Sequence, residues 1–261
     1  MEKVSEIFQN EIFKCEKCRN NKNKIKFMNH YMDFNKKINN EKPMSYLSRR
    51  NFILDYIKEK NDIEIMIIGL APGLNGCGFS GIPFTGESNA IVDLKFVNYH
   101  NSKMPYQEKE SANLIYDVIK EVSNIKNRTV KEISKKIYMI NSCQCVPLKE
   151  SEKSIKDPSA EMKKNCWYYV SEIINDIKLK VIIVLGEQAY RNTVSNLANI
   201  SKNNIKKLTE CILDGTTYQI NNIKIIPEIH PSPQNRNNAN TKDLYPGLKK
   251  RLVNHICNTI K

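Results

Sequence analysis

No stretch of this 261-residue chain sustains the roughly 18 apolar residues that a membrane-crossing helix needs, so no such span is expected. The opening residues, MEKVSEIFQNEIFKC, are charged and amphipathic and lack the apolar centre of a secretory signal. An intracellular, cytoplasmic site is the expectation. No segment repeats and no linker divides the chain. A single domain over residues 1–261 is expected, with a cysteine pair near the N-terminus and a variable segment at 19–60. Acidic residues are scarce: 28 Asp and Glu stand against 41 Lys and Arg, a formal net charge of +13. Such an imbalance arises from drift toward Lys and Asn with a solvated surface, or from a polyanion partner such as nucleic acid, which binds by counterion release. Charge alone does not separate the two. An intracellular chain of this size also has little use for four disulfides. Its eight cysteines are therefore metal ligands, reactive thiols or core residues.

What is present is organised around the stretch from Ile63 to Leu94. An apolar run rich in β-branched residues predicts a strand buried on both faces. It ends in Gly69-Leu70-Ala71-Pro72-Gly73, and a glycine-dense loop leads to Pro83-Phe84-Thr85-Gly86-Glu87. A loop in this position lies at the carboxyl edge of a parallel sheet, where open α/β folds bind ligands. Gly76 to Gly81 fits G-x-G-x-x-G, but Pro83 and Gly86 follow, so no helix opens from the third glycine to receive a pyrophosphate. The dinucleotide reading is therefore the weaker one.

The remaining elements can be taken in order. Residues 1–13 predict a short helix, 45–60 a second and 107–125 an amphipathic third. Strands are expected at 137–142, ending near Asn141, at 179–185, and at 223–229. Pro227 inside the last of these predicts an edge position. A helix over 158–177 has Asp157 as its expected N-cap, Pro158 as its first helical residue and Glu161 in its first turn. Another runs near Glu187–Leu197, and a C-terminal helix spans about Lys242–Thr259. Strands alternating with helices indicate a three-layer α/β/α sandwich around a four-stranded parallel sheet. Three strands deliver polar or glycine-rich ends: the Gly69 loop, Asn141, and His230-Pro231-Ser232-Pro233. In a parallel sheet these ends share one edge, which favours a pocket over a structural role for His230.

Phe84, between Pro83 and Thr85, is either a buried loop anchor or a flat platform for a stacked base, a contact worth about 1–3 kcal/mol. Glu87 either caps a helix starting near Ser88 or orients a water. Cys15-Glu16-Lys17-Cys18 is a C-x-x-C pair whose thiolates can converge on a metal or cluster. Cys145 and Cys166 are grouped with it, although Cys143 lies as near to the strand end as Cys145. Cys77, Cys211 and Cys257 have no partner at ligand spacing.

Taken together these residues resemble the iron–sulfur branch of the uracil-DNA glycosylase superfamily, families 4 and 5. Gly69–Gly73 with Gly81–Gly86 resembles the first motif and is closest to family 5. Asn141 with Cys145-Val146-Pro147 resembles its N-x-x-x-C-x-P strand end. Pro158-Ser159-Ala160-Glu161 followed by Cys166 resembles the helix that carries the fourth cluster ligand, and His230–Asn235 resembles the second motif. The resemblance implies a [4Fe–4S] cluster on Cys15, Cys18, Cys145 and Cys166. It further implies excision of uracil, or another deaminated base, from DNA by a monomeric, nucleoid-associated enzyme.

In that family the target base leaves the duplex. The resemblance implies that Phe84 stacks on it, Asn141 reads its pairing edge, and His230 stabilises the leaving base. It also assigns Glu87 to the catalytic set. Gly69, Leu70, Ala71, Pro72 and Gly73 form the floor, while Ser232 and Gln234 meet the DNA backbone or the gap left by the base. The chain departs from the family 5 pattern in several places. Glu87 replaces an Asp, Gly78-Phe79-Ser80-Gly81 replaces an Asn-Arg-Thr-Gly run, and Ala90 replaces a glycine. Twenty residues separate Cys145 from Cys166, a lengthened spacing. Two other classes stay open: a non-catalytic iron–sulfur protein that holds a base in nucleic acid, and a nucleotide-binding α/β protein.

Overall fold

The computed structural model describes residues 1–18, 27–32, 46–73, 77–86, 88–96, 110–148 and 156–261. In chain order these form α1 (Glu2–Glu6), β1 (Phe27–Met28), α2 (Tyr46–Lys58), β2 (Ile65–Gly69), α3 (Cys77–Ser80), α4 (Glu110–Lys126), α5 (Val130–Lys135), β3 (Ile137–Asn141) and β4 (Val146–Pro147). They continue with α6 (Ala160–Asp176), β5 (Val181–Leu185), α7 (Glu187–Ala198), α8 (Leu208–Asp214), β6 (Tyr218–Ile220), β7 (Ile223–Glu228), α9 (Pro233–Asn237) and α10 (Leu248–Thr259). The described helices include none long and apolar enough to cross a membrane.

The sheet has the order β3-β2-β5-β7-β6. The four expected strands are all present, and a fifth, β6, is added. β2 runs parallel to β5 and β5 to β7, while β6 pairs antiparallel with the start of β7. Every residue of β2, β3 and β5 is buried, which is why the sequence shows unbroken apolar runs there instead of alternation. β7 is not the edge strand, yet the expectation from Pro227 has a physical counterpart. Lys224 and Glu228 bond toward β5 through Lys224 N to Lys180 O (3.0 Å) and Gly186 N to Glu228 O (2.7 Å). Pro227 therefore turns its missing N–H to the other side. There β6 has already ended, its last pairing being Tyr218 with Ile225. Proline sits at the one stretch of β7 with no ladder bond to lose.

The chain forms two compact units, each assembled from separate stretches of sequence. The first comprises Met1–Glu59, Ala71–Lys109 and Asn141–Ile177, and the second Lys60–Leu70, Glu110–Ile140 and Lys178–Lys261. In the first unit α1 packs on α2 and α6, α2 packs on α3, and the two-stranded ribbon β1-β4 is antiparallel. The apolar set of α2 is Phe52, Ile53, Tyr56 and Ile57, joined by the fully buried Arg49; Leu47 is exposed. The cap of α6 is Ser159 rather than Asp157. Its hydroxyl accepts from Met162 N at 3.1 Å, and its carbonyl starts the helical ladder with Lys163 N at 3.0 Å.

In the second unit the sheet is lined by α7 on β5 and α8 on β7, with α10 packed on α4. α5 is a helix not expected from the sequence, and it carries a complete capping box. Thr129 accepts from Glu132 N at 3.2 Å, and Glu132 accepts from Thr129 N at 2.7 Å. The C-terminal helix starts at Leu248, later than the expected Lys242, because residues 238–247 form successive turns.

Candidate active site

In the first unit the loop after Gly69 is built to hold one aromatic residue in a strained position. Ala71 is partly buried against the cysteine cluster, Pro72 is buried and Gly73 half-buried. Leu74–Gly76 lie outside the described residues, as does Glu87. The short α3 ends at Gly81, which adopts φ +77°. Gly81 thus closes a helical turn and opens none, which removes the structural basis of a G-x-G-x-x-G phosphate site. A Cβ at Gly81 would meet Tyr31 Cε1 at 3.0 Å and Arg49 O at 3.1 Å, so the backbone approach requires glycine. Tyr31 Oη donates to Gly81 O at 2.5 Å from the other side.

Phe84 follows at φ +51°, a left-handed conformation uncommon for an aromatic residue. The turn is locked around it. Ser80 Oγ accepts from Ile82 N at 3.0 Å and donates to Thr85 O at 2.5 Å. Thr85 Oγ1 donates to Pro83 O at 3.1 Å, and Thr85 N to Ile82 O at 3.2 Å. Ser80 and Thr85 are both fully buried, whereas Phe84 keeps part of its surface exposed. Ser80 is a positioning residue with no signal in the sequence beyond its place before Gly81.

Asn141 closes β3 and is 4% exposed, so its amide must find partners. Its Nδ2 donates to Cys77 Sγ at 3.7 Å, and Gln144 Nε2 donates to its backbone carbonyl. Cys77 therefore has a partner after all, though not at a metal-ligand site. Burial pushes the Cys77 thiol up to about 12, so it is neutral.

The other cysteines of this unit gather separately. Cys18, Cys143, Cys145 and Cys166 form one buried cluster with Met162. Cys15 is beside it: Tyr169 Oη donates to Cys15 Sγ at 3.5 Å, and Asn165 Nδ2 to Cys18 Sγ at 3.5 Å. Gln144 N donates to Cys166 Sγ at 3.4 Å. The hydrogen bond from Cys143 holds the Cys166 thiol low, helped by backbone N–H groups of Gln144 and Cys145. The same contact raises Cys143, and burial raises it further. Among the described residues no three His, Cys, Asp or Glu side chains are spaced to share a single metal ion. A cuboid iron–sulfur cluster makes a different demand, one thiolate for each of four separate irons. A buried set of sulfurs that receives amide N–H groups suits that chemistry. With Cys15 beside it the set offers five thiols, one more than a cluster requires. Cys211, by contrast, is a core thiol against Tyr190 Oη at 3.3 Å, and Cys257 is a half-buried residue of α10.

In the second unit Gly69 is buried at the end of β2 and Leu70 is half-buried. β7 ends at Glu228, and Ile229 then His230 follow. Burial lowers the His230 imidazole to about 4, so the ring is neutral at physiological pH and carries a single N–H donor. Gly186 passes close by at φ +96°; a Cβ there would lie 3.2 Å from His230 Cβ. The loop after His230 is tied by Asn235. Its Nδ2 donates to His230 O at 2.8 Å and to Ser232 Oγ at 3.1 Å, while Thr241 Oγ1 donates to Asn235 O at 2.7 Å. Ser232 is partly exposed at the start of α9, and Gln234 is exposed. Asn235 stood in the second motif without a role; the structure makes it the brace of His230. Beneath the loop Glu228 is almost fully buried and paired with Arg251 and His255.

A mixed α/β sheet with rigid, polar loops after its parallel strands is the architecture of ligand-binding α/β proteins. Known proteins sharpen this. A model of the uracil DNA glycosylase superfamily matches residues 56–253. The type-5 uracil-DNA glycosylase of Pyrobaculum aerophilum is 23% identical over 175 residues, 67% of this chain, and the match spans 63% of that relative's length. The crystal structure of wild-type SMUG2 from Pedobacter heparinus has the same fold, with a TM-score of 0.56 at 16% identity over 90% of this chain and 86% of that one. The chain belongs to the uracil DNA glycosylase superfamily.

Proposed function

We propose that this chain is a monofunctional DNA glycosylase that removes uracil from DNA by hydrolysing the N-glycosidic bond. It works as a monomer in the cytoplasm and leaves an abasic site. The base is extruded, because its glycosidic bond is out of reach within the stack. Phe84 stacks on the extruded ring from its rigid turn. Asn141 reads the pairing edge, Nδ2 donating to a carbonyl and Oδ1 accepting from the ring N–H. His230 donates to the negative charge that grows on the leaving base, and water attacks C1′. Ser232 and Gln234 meet the DNA backbone. The net charge of +13 supplies the long-range attraction to phosphates.

The observation that carries this reading is the placement of His230 on a loop braced by Asn235 directly after a sheet strand; burial lowers its imidazole, which favours the neutral ring. A neutral imidazole can donate to the departing anion at physiological pH with no change of protonation state. The test uses matched oligonucleotides carrying uracil or thymine at one position, followed by alkali. Strand breaks at uracil alone are expected; their absence refutes the proposal.

Cys15, Cys18, Cys145 and Cys166 are the ligands of a [4Fe–4S] cluster in this reading. Bound there, the group is a structural tie that fastens the N-terminal segment to α6 and to the turn after Asn141. The support is the gathering of Cys18, Cys145 and Cys166 in one buried set that also holds Cys143, with the half-buried Cys15 bonded by Tyr169 Oη on the same helix as Cys166. Protein purified without oxygen should be brown, absorb broadly near about 400 nm, and hold about four irons per chain. A colourless, iron-free and fully active preparation would overturn this assignment.

A further inference from the structure

We infer that Cys77 is a positioning residue that fixes which end of the Asn141 amide faces the base, and thereby sets the choice between uracil and cytosine. The inference rests on the proposal that Asn141 reads the base. Asn141 has a terminal amide whose two ends, an acceptor oxygen and a donor NH2, are nearly equal in size. Uracil offers a carbonyl and a ring N–H along its pairing edge. Cytosine offers an amino group and a bare ring nitrogen at the same places. The two bases therefore demand opposite orientations of one amide. Discrimination requires something in the protein to hold the amide one way round.

Cys77 is placed to do so. Its Sγ lies 3.7 Å from Asn141 Nδ2, and the contact is buried on both sides, with Cys77 8% and Asn141 4% exposed. A thiol is a poor donor, whereas the amide N–H is a good one, so the nitrogen end is the end that turns to sulfur. Nδ2 carries two hydrogens. One is held by sulfur, and the other remains for a base carbonyl, as uracil requires. Flipping the amide would leave a buried NH2 without its acceptor, the costly kind of unsatisfied group. Cys77 is itself held in register: it begins α3, and its carbonyl accepts from Gly81 N at 2.8 Å. The Cys77–Ser80 helix thus fixes both halves of this face, the Asn141 amide through Cys77 and the Phe84 turn through Ser80. Cys77 sits in the middle of the loop where the sequence departs most from the family pattern.

The test compares wild type, Cys77→Ala and Cys77→Ser in the full chain. Excision is measured on oligonucleotides with uracil or cytosine at the same site, with kcat and KM separated, and melting temperature serves as a check on folding. Cys77→Ala should lower the uracil-to-cytosine ratio of kcat/KM about five-fold, the weight of one modest hydrogen bond. Cys77→Ser, whose hydroxyl can also accept, should restore it. A second readout needs no activity: exchange of the Asn141 side-chain amide protons, followed by NMR, should quicken in Cys77→Ala and slow again in Cys77→Ser. An unchanged ratio in an active enzyme, or unchanged exchange, overturns the inference. Wild type that excises nothing but shows the exchange pattern would refute the glycosylase proposal and uphold the Cys77 clamp.

Discussion

Arg251→Met should be the most damaging single change in the second unit, and its size follows from the pairing of Glu228. The Glu228 side chain is 2% exposed and takes three hydrogen bonds from the guanidinium: Nε at 2.8 and 3.1 Å and Nη2 at 3.0 Å. His255 Nε2 at 3.3 Å would be its remaining side-chain partner among the described residues. Breaking a buried pair from one side costs about 3–5 kcal/mol, because the other charge stays desolvated. Arg251 is 25% exposed, so water can enter the space it leaves, and the lower figure of about 3 kcal/mol applies. For a chain of this size that lowers the melting temperature by roughly 6–12 °C. Thermal melts of wild type, Arg251→Met, Glu228→Gln and the double variant form the assay. The double variant should be more stable than Arg251→Met alone, since a neutral carboxamide carries no stranded charge. Arg251→Lys should recover only part of the loss, as one ammonium cannot reproduce the fork. A drop of less than about 3 °C in Arg251→Met, or a double variant as unstable as the sum of the singles, would refute the argument.

Other outcomes follow from the same kind of accounting. His230→Ala should lose about two to three powers of ten in turnover while DNA binding is largely kept; normal turnover would remove His230 from the mechanism. Burial, then the Arg49 guanidinium, lowers the His30 imidazole to about 3, below its ordinary value. A histidine depressed in this way stabilises the fold fully above pH 6.5, and that contribution is lost as pH falls toward about 3. Neither His30 ring nitrogen has a hydrogen-bond partner among the described residues. His30→Phe should therefore equal or exceed wild type in melting temperature at pH 7 and fall less steeply on acidification; an unchanged slope would show that His30 does not carry the effect. Asn235→Ala removes two donors that hold the His230 loop, so turnover should drop roughly ten-fold, with a stability loss near about 1 kcal/mol. Equal activity would mean that the prolines alone fix the loop.

β2, β3 and β5 were legible because burial on both faces writes an unbroken apolar run, and β7 because Ile223, Ile225 and Ile226 still mark it. β6 was not, since its three residues lie at the sheet's margin and none is buried. α5 and α8 were missed for their length, six and seven residues, although each leaves a local mark. For α5 the mark is the Thr129–Glu132 capping box; for α8 it is Gly215 in the left-handed cap at φ +73°. The expectation of Asp157 as the cap failed because Ser159, an equally good capping residue two positions on, accepts from Met162 N.

The site shows the same division more sharply. Residues proposed to touch a ligand could be named from the sequence, because their chemistry is in the side chain: a ring, a carboxamide, an imidazole, thiols. Residues that aim them could not. Ser80, Cys77 and Asn235 act through bonds to Thr85 O, Asn141 Nδ2 and His230 O, at sequence separations of five, 64 and five. A serine, a cysteine and an asparagine are ordinary in loops, and nothing in their identity points to a partner. The Cys77 contact in particular joins the loop after β2 to the end of β3, a pairing that exists only once the chain is folded. In the proposed reading, an exchange at Cys77 alone would change which way the Asn141 amide points while leaving every ligand-facing residue in place.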